Sequence, residues 1–120
     1  MNDTRWTADL FAAIDAKNSQ RFLSFLEPDA QFRFGSAPPA LGIDAVGGAV
    51  DGFFASIKSL SHKLDHVWAQ PDHVICTGTV TYTRHDGRVV GIPFCDVLVM
   101  RGARIKDYLV YIDPAPLFAA

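Results

Sequence analysis

Residues 73–84, HVICTGTVTYTR, alternate along their whole length: Val74, Cys76, Gly78, Val80 and Tyr82 fall on one side of an extended chain, Ile75 and four threonines on the other. A period of two sustained that far requires a strand with one face on a core. The first half of the chain follows a different period. Leu10, Phe11 and Ile14 make an apolar helical face that ends at Lys17-Asn18, and Phe22, Phe25 and Leu26 make another ahead of Pro28. After a loop holding Pro38, Pro39 and Gly42, Asp44 reads as the N-cap of a third helix with Val46, Val50, Phe53, Phe54, Ile57 and Leu60 on one side. Gly47, Gly48 and Gly52 weaken that helix, at about 1 kcal/mol each against Ala. The other extended segments are QFRF, SHKLDHVW, GIPFCDVLVM and residues 105–112, with turns at HDGR and RGAR. This order predicts an α+β fold: three N-terminal helices packed on a curved, mostly antiparallel sheet.

With 120 residues, 49% hydrophobic and nine of them Phe, the chain is expected to form one domain over 1–120 with a substantial core. A net charge of −2 with scattered Lys and Arg gives no basic stripe, which argues against nucleic acid as a partner. No segment reaches the roughly 18 apolar residues of a membrane span, and MNDTRWTADL lacks a signal-peptide core, so a cytoplasmic protein without membrane association is expected. Cys76 and Cys95 sit in strand-like runs, as buried free thiols in a reducing compartment would, the alternative being one disulfide between them. No cofactor is expected: there is no glycine-rich phosphate loop, dinucleotide fingerprint or nucleophile elbow. Nor is a metal, because His62 and His66 lie about 13 Å apart on an extended strand, whereas zinc ligands sit about 2 Å from their ion.

FAAIDAKNSQRFLSFLEPDAQF near the start and GARIKDYLVYIDPAPLF at the end, with helices preceding a bent sheet, resemble the nuclear-transport-factor-2-like superfamily. Within it the chain is most similar to SnoaL-like proteins, a group that includes polyketide cyclases, limonene-epoxide hydrolases and ketosteroid isomerases. The resemblance implies a cone with an internal apolar cavity and a homodimer formed through the outer, Thr-rich face of the sheet. It also implies a small apolar ligand, with either cofactor-free isomerase, cyclase or hydrolase chemistry or binding alone. In cyclases and hydrolases of this type an acidic residue near the end of the last strand enters the cavity, and Asp113 falls there. The isomerases' oxyanion-hole aspartate falls near Asp96, while their base and tyrosine fall on Phe34 and Leu10. Arg84-His85-Asp86 looks similar to a hydrolase Arg-x-Asp, although Asp86-Gly87 reads more simply as a hairpin turn.

The candidate catalytic residues are thus Asp113 and His62. Asp113 has two readings: a desolvated acid or base on the cavity wall, sharing strand parity with Leu109 and Tyr111, or the cap of the turn opened by Pro114. His62 is either a neutral imidazole in the cavity or a histidine tied to backbone at a strand end. Asp96, between Cys95 and Val97, is either a neutral carboxyl facing the cavity or an edge or interface residue. Tyr82, Asp96 and Tyr111 are the expected polar ligand contacts. Trp6, Phe34, Phe53, Phe54, Ile57 and Phe94 are the expected apolar ones.

Overall fold

The structure is a computed structural model that describes residues 4–119. Helix α1 (Trp6–Asp15) and the single turn α2 (Ser19–Leu23) precede β1 (Leu26–Phe34) and the two-residue β2 (Ala40–Leu41). Helix α3 (Ile43–Ser56) then leads into β3 (Ser59–Ala69), β4 (His73–Thr83), β5 (Val89–Arg101), β6 (Arg104–Ile112) and a terminal turn α4 (Ala115–Phe118). The strands form one sheet in the order β2-β1-β6-β5-β4-β3, antiparallel throughout except for the β1–β6 pair. Helices α1 to α3 cover its inner face, giving the expected α+β cone. No helix among the described residues is long and apolar enough to cross a membrane.

Several boundaries differ from those read in the sequence. Gly42, with φ +87°, and not Asp44, precedes α3, and Asp44 sits in the first turn, where its charge complements the helix dipole. The helix stops at Ser56, so the apolar periodicity from Val46 through Ile57 and Leu60 spans a helix end and the start of β3. Leu26 and Pro28 belong to β1. Proline is tolerated there because the β1–β6 register breaks between Leu26 and Gln31, where no ladder N–H is required. Helix α4 is a fourth helix, and its Leu117 is buried.

The alternation in β4 is realised residue for residue: Val74, Cys76, Gly78, Val80 and Tyr82 are all buried. Gly78 has a specific cause. A Cβ there would lie 1.9 Å from the Lys63 carbonyl oxygen, so β3 crosses over a position that only glycine can occupy. At the same place the β3–β4 register slips between Leu64 and His66, leaving Asp65 as the bulged residue. A bulge bends its strand and inverts the parity of the side chains beyond it. His62 therefore faces inward, while His66, four residues on, faces outward and stacks on the exposed Trp68 at 5.0 Å.

Lys17 locks the helices to this frame. Its backbone takes φ +55°, which ends α1, and its ammonium donates to the carbonyls of Phe54, Ile57 and Lys58 at 3.0, 2.9 and 3.2 Å. A cation at the C-terminal carbonyls of α3 is favoured by the helix dipole. It also fixes the end of α1, and so Asp15, against β3.

Glycine substitutions should separate the constrained from the unconstrained positions. Gly78→Ala should destabilise the fold by at least about 2 kcal/mol through overpacking against backbone. Gly52→Ala, in open space on α3, should stabilise it by about 0.5–1 kcal/mol. Urea denaturation measures both, and a neutral Gly78→Ala would show that β3 does not press on β4.

Candidate functional site

A pocket of about 270 Å³ lies between the helices and the inner face of the sheet. Its walls are largely aromatic, with Phe22, Phe32, Phe34, Phe53, Phe54 and Phe94 contributing rings, and the exposed Ala37, Pro38 and Ala49 mark its mouth. Among the described residues four polar side chains line it: His62 from β3, Tyr82 from β4, Asp96 from β5 and Tyr108 from β6.

Asp96 is 2% exposed. Cross-strand register places it opposite Cys76 on β4 and Val110 on β6, with Tyr108 as its diagonal neighbour on the same face. The Tyr108 hydroxyl donates to Asp96 Oδ2 at 3.0 Å, while Oδ1 has no partner among the described residues. Desolvation pushes the carboxyl up to about 7, opposed only in part by the Tyr108 hydrogen bond. The neutral form satisfies this geometry: Oδ2 accepts from Tyr108 as a carbonyl oxygen, and Oδ1 carries a proton available to the pocket. Around it, other groups are held in their protonated forms. Burial first, then the Asp96 charge, pushes the Cys76 thiol up to about 12 and raises the Tyr82 and Tyr108 phenols, so none of them is a nucleophile near neutral pH.

The second polar centre is His62, whose side chain is 9% exposed. Its Nδ1 lies 2.6 Å from Asp15 Oδ1, and its own backbone N–H donates to Asp15 Oδ2 at 3.0 Å. The rings of Phe11 and Phe94 flank the imidazole at 4.9 and 5.2 Å. With Nδ1 engaged, Nε2 is the ring nitrogen left for a ligand.

Other expected site residues are distributed unevenly. Phe34, Phe53, Phe54, Phe94 and Tyr82 line the pocket, with Phe53 5.0 Å from Phe34 and 5.7 Å from Tyr82. Ile57 is buried in the core behind the wall, and Trp6 stacks on Phe25 at 6.4 Å; neither lines the pocket. Asp113 and Tyr111 lie elsewhere too. Inward parity on β6 belongs to Tyr108, Val110 and Ile112, so Leu109 and Tyr111 face outward, Tyr111 being 50% exposed beneath the Arg33 guanidinium. Asp113 is exposed, and its Oδ1 accepts the Ala115 N–H at 3.1 Å. It is the cap of the Asp-Pro turn, not a cavity carboxyl. Asp86 likewise serves its hairpin, accepting the Arg88 N–H at 3.0 Å and pairing with Arg84, which also donates to the Leu117 and Ala119 carbonyls and fastens α4.

Two site residues, Tyr108 and Asp15, were not found by sequence reasoning. Tyr108 shares parity with Val110, and a buried Asp96 needs a donor from the adjoining strand. Asp15 follows Phe11 by four residues, which puts a carboxylate on the buried face of α1.

Fold and pocket together define a cone-shaped α+β protein with Asp96 and His62 among the polar side chains of a largely aromatic pocket. The SnoaL-like domain family matches residues 7–108, and the chain belongs to this family. No curated protein matches the chain by sequence. Among solved structures, it is similar to an NTF2-like protein of unknown function from Burkholderia pseudomallei, at 17% identity and TM-score 0.85, covering 93% of this chain and 91% of that one. A protein of ketosteroid isomerase-like fold from Catenulispora acidiphila, in complex with trimethylamine, is 15% identical over 92% of this chain and 86% of that one, with TM-score 0.83. An LEH-like epoxide hydrolase of M. tuberculosis is 15% identical over 95% and 84%, with TM-score 0.79. At these identities the likeness is one of fold.

The raised Asp96 carboxyl has a consequence for stability. The folded state holds the proton more tightly than the unfolded chain, whose carboxyl titrates near 3.8, so stability due to this group falls as pH rises from about 4 to about 7 and levels off above that. The full difference is about 4 kcal/mol at most, from a shift of about three pH units. Asp96→Asn, which keeps an acceptor for Tyr108 and cannot ionise, should remove that fall. Thermal unfolding of both proteins between pH 4.5 and 8 tests it, and parallel curves would place the Asp96 titration outside this range.

Proposed function

We propose that this chain is a cofactor-free acid–base enzyme acting on a small, mostly apolar carbonyl compound bound in the pocket. The observation that carries the reading is the buried Asp96 carboxyl, which has one oxygen held by Tyr108 and the other without a partner among the described residues, in a largely aromatic pocket. In this reading the neutral Asp96 hydrogen-bonds the substrate's carbonyl oxygen. His62 Nε2 removes a proton from the adjacent carbon, and the C–H electron pair becomes the C=C bond of an enol(ate) whose oxygen Asp96 stabilises. Return of the proton to a different carbon isomerises the substrate; loss of a leaving group from the enolate dehydrates or opens it. The aromatic walls favour a flat or alicyclic skeleton, and the small volume limits its size.

The same proposal includes a homodimer built on the outer sheet face, where Trp68 and Tyr111 are each 50% exposed beside Ile75, Val97 and Leu109. Sedimentation velocity should give the mass of two chains; a single chain at micromolar concentration would contradict it. We place the protein in the cytoplasm, because Cys76 and Cys95 are free thiols on opposite sheet faces.

The chemistry is testable with a surrogate. 2-Tetralone, an aryl-fused ketone with an acidic α-C–H, can be incubated in D2O and its α-proton signal followed by NMR. Wild type should accelerate exchange above background. His62→Gln should lose about 10²–10⁴-fold of that acceleration, and Asp96→Leu about 10²–10³-fold. Asp113→Asn should leave it unchanged. Binding of the ketone without exchange would make the pocket a binding site only, and loss of exchange in Asp113→Asn would return the chemistry to that residue.

A further inference from the structure

We infer that Asp15 is a positioning residue that holds His62 as the neutral Nδ1–H tautomer, so that Nε2 presents a lone pair to the pocket. A free imidazole can carry its proton on either nitrogen, and only the unprotonated one is a base. Asp15 makes that choice through two contacts of one carboxylate. Oδ1 lies 2.6 Å from Nδ1 and in this tautomer accepts its N–H, and Oδ2 accepts the backbone N–H of the same residue at 3.0 Å. The first bond selects the tautomer. The second ties the carboxylate to the strand carrying the ring, so the ring cannot turn away without breaking both.

The surroundings reinforce the arrangement. Phe11 tilts against the imidazole and Phe94 meets it nearly edge-on, at an interplanar angle of 84°. These contacts oppose a ring flip that would bring Nε2 to Asp15. Asp15 is itself the last residue of α1, and two residues later Lys17 binds three carbonyls at and beyond the C-terminus of α3. The carboxylate is thereby anchored to a second helix. Its side chain is 27% exposed and reaches water, whereas Asp96 is 2% exposed. In the proposed reaction the two carboxyls have opposite uses: Asp96 lines the pocket and supplies a proton, while Asp15, outside the lining, accepts a hydrogen bond from the histidine. This polarity sets the direction of proton transfer, with His62 entering as base and Asp96 as donor.

This inference rests on His62 being the base of the proposed reaction, but it is measured without substrate. Protein labelled with [15N]histidine can be examined by long-range 1H–15N correlation at pH 8, with His62→Gln assigning the ring among the four histidines. His62 should show a protonated, pyrrole-like Nδ1 and an unprotonated, pyridine-like Nε2. Asp15→Ala should shift the population to the Nε2–H form. Where Asp15→Ala does not fold, Asp15→Asn serves: one of the two accepting oxygens becomes an NH2 that can only donate, and a mixture of tautomers should replace the single form. An Nε2–H ring or an imidazolium in the wild type would overturn the inference, and so would a tautomer unchanged in the Asp15 variants. The Nδ1–H form in a protein that exchanges no 2-tetralone would uphold the inference and count against the reaction alone.

Discussion

The backbone of β3 passes so close over Gly78 that no side chain fits between them, and the pocket depends on that approach. The bulge at Asp65 lets β3 bend there, and the bend separates the inward His62 from the outward His66. On the near side of the bulge, His62 comes within reach of α1 and lies opposite Val80. On the adjoining strands the sheet keeps its register, so Phe94 and Asp96 stand in the same inner layer as Cys76, Gly78 and Val80. A flat sheet would let the helices close onto it and fill the space with core; curvature leaves a volume that side chains do not fill.

Into that volume the chain places a carboxyl with a single hydrogen-bond donor. Burying an ionised carboxylate without a cation is expensive, and among the described residues no Lys or Arg lines the pocket. Tyr108 offsets part of the cost, and protonation removes the rest. The result is a weak acid in apolar surroundings, where a hydrogen bond to a developing oxyanion is worth more than in water. The second carboxylate, Asp15, is more exposed and contacts His62. The two differ in solvent access, which is the basis of the different roles proposed for them.

Strand-level features were the most legible in the sequence. The alternation in β4 named its buried face correctly because a period of two leaves no freedom once one face is apolar. Helix ends were less legible: Ile57 and Leu60 continue the apolar pattern of α3 although the helix has ended, since burial continues across the junction. In β6 both parities are hydrophobic, YLVYI, so the sequence did not choose between Tyr108-Val110-Ile112 and Leu109-Tyr111, and Asp113 lent weight to the wrong set. Asp15 was hidden for another reason. Its partner is 47 residues away, and a helix-terminal aspartate has an ordinary surface reading until the strand that meets it is known.

In the proposed reaction Asp96 acts as a neutral acid lining the pocket. Difference infrared spectroscopy of wild type against Asp96→Asn, across pH 4 to 9, reads the carboxylic C=O stretch of this one residue. The account predicts a protonated-carboxyl band that persists through pH 6, is half lost near 7, and is accompanied by a growing carboxylate band. A band already gone by pH 5 would mean that Asp96 is ionised where the protein works, and the donor role assigned to it would fail.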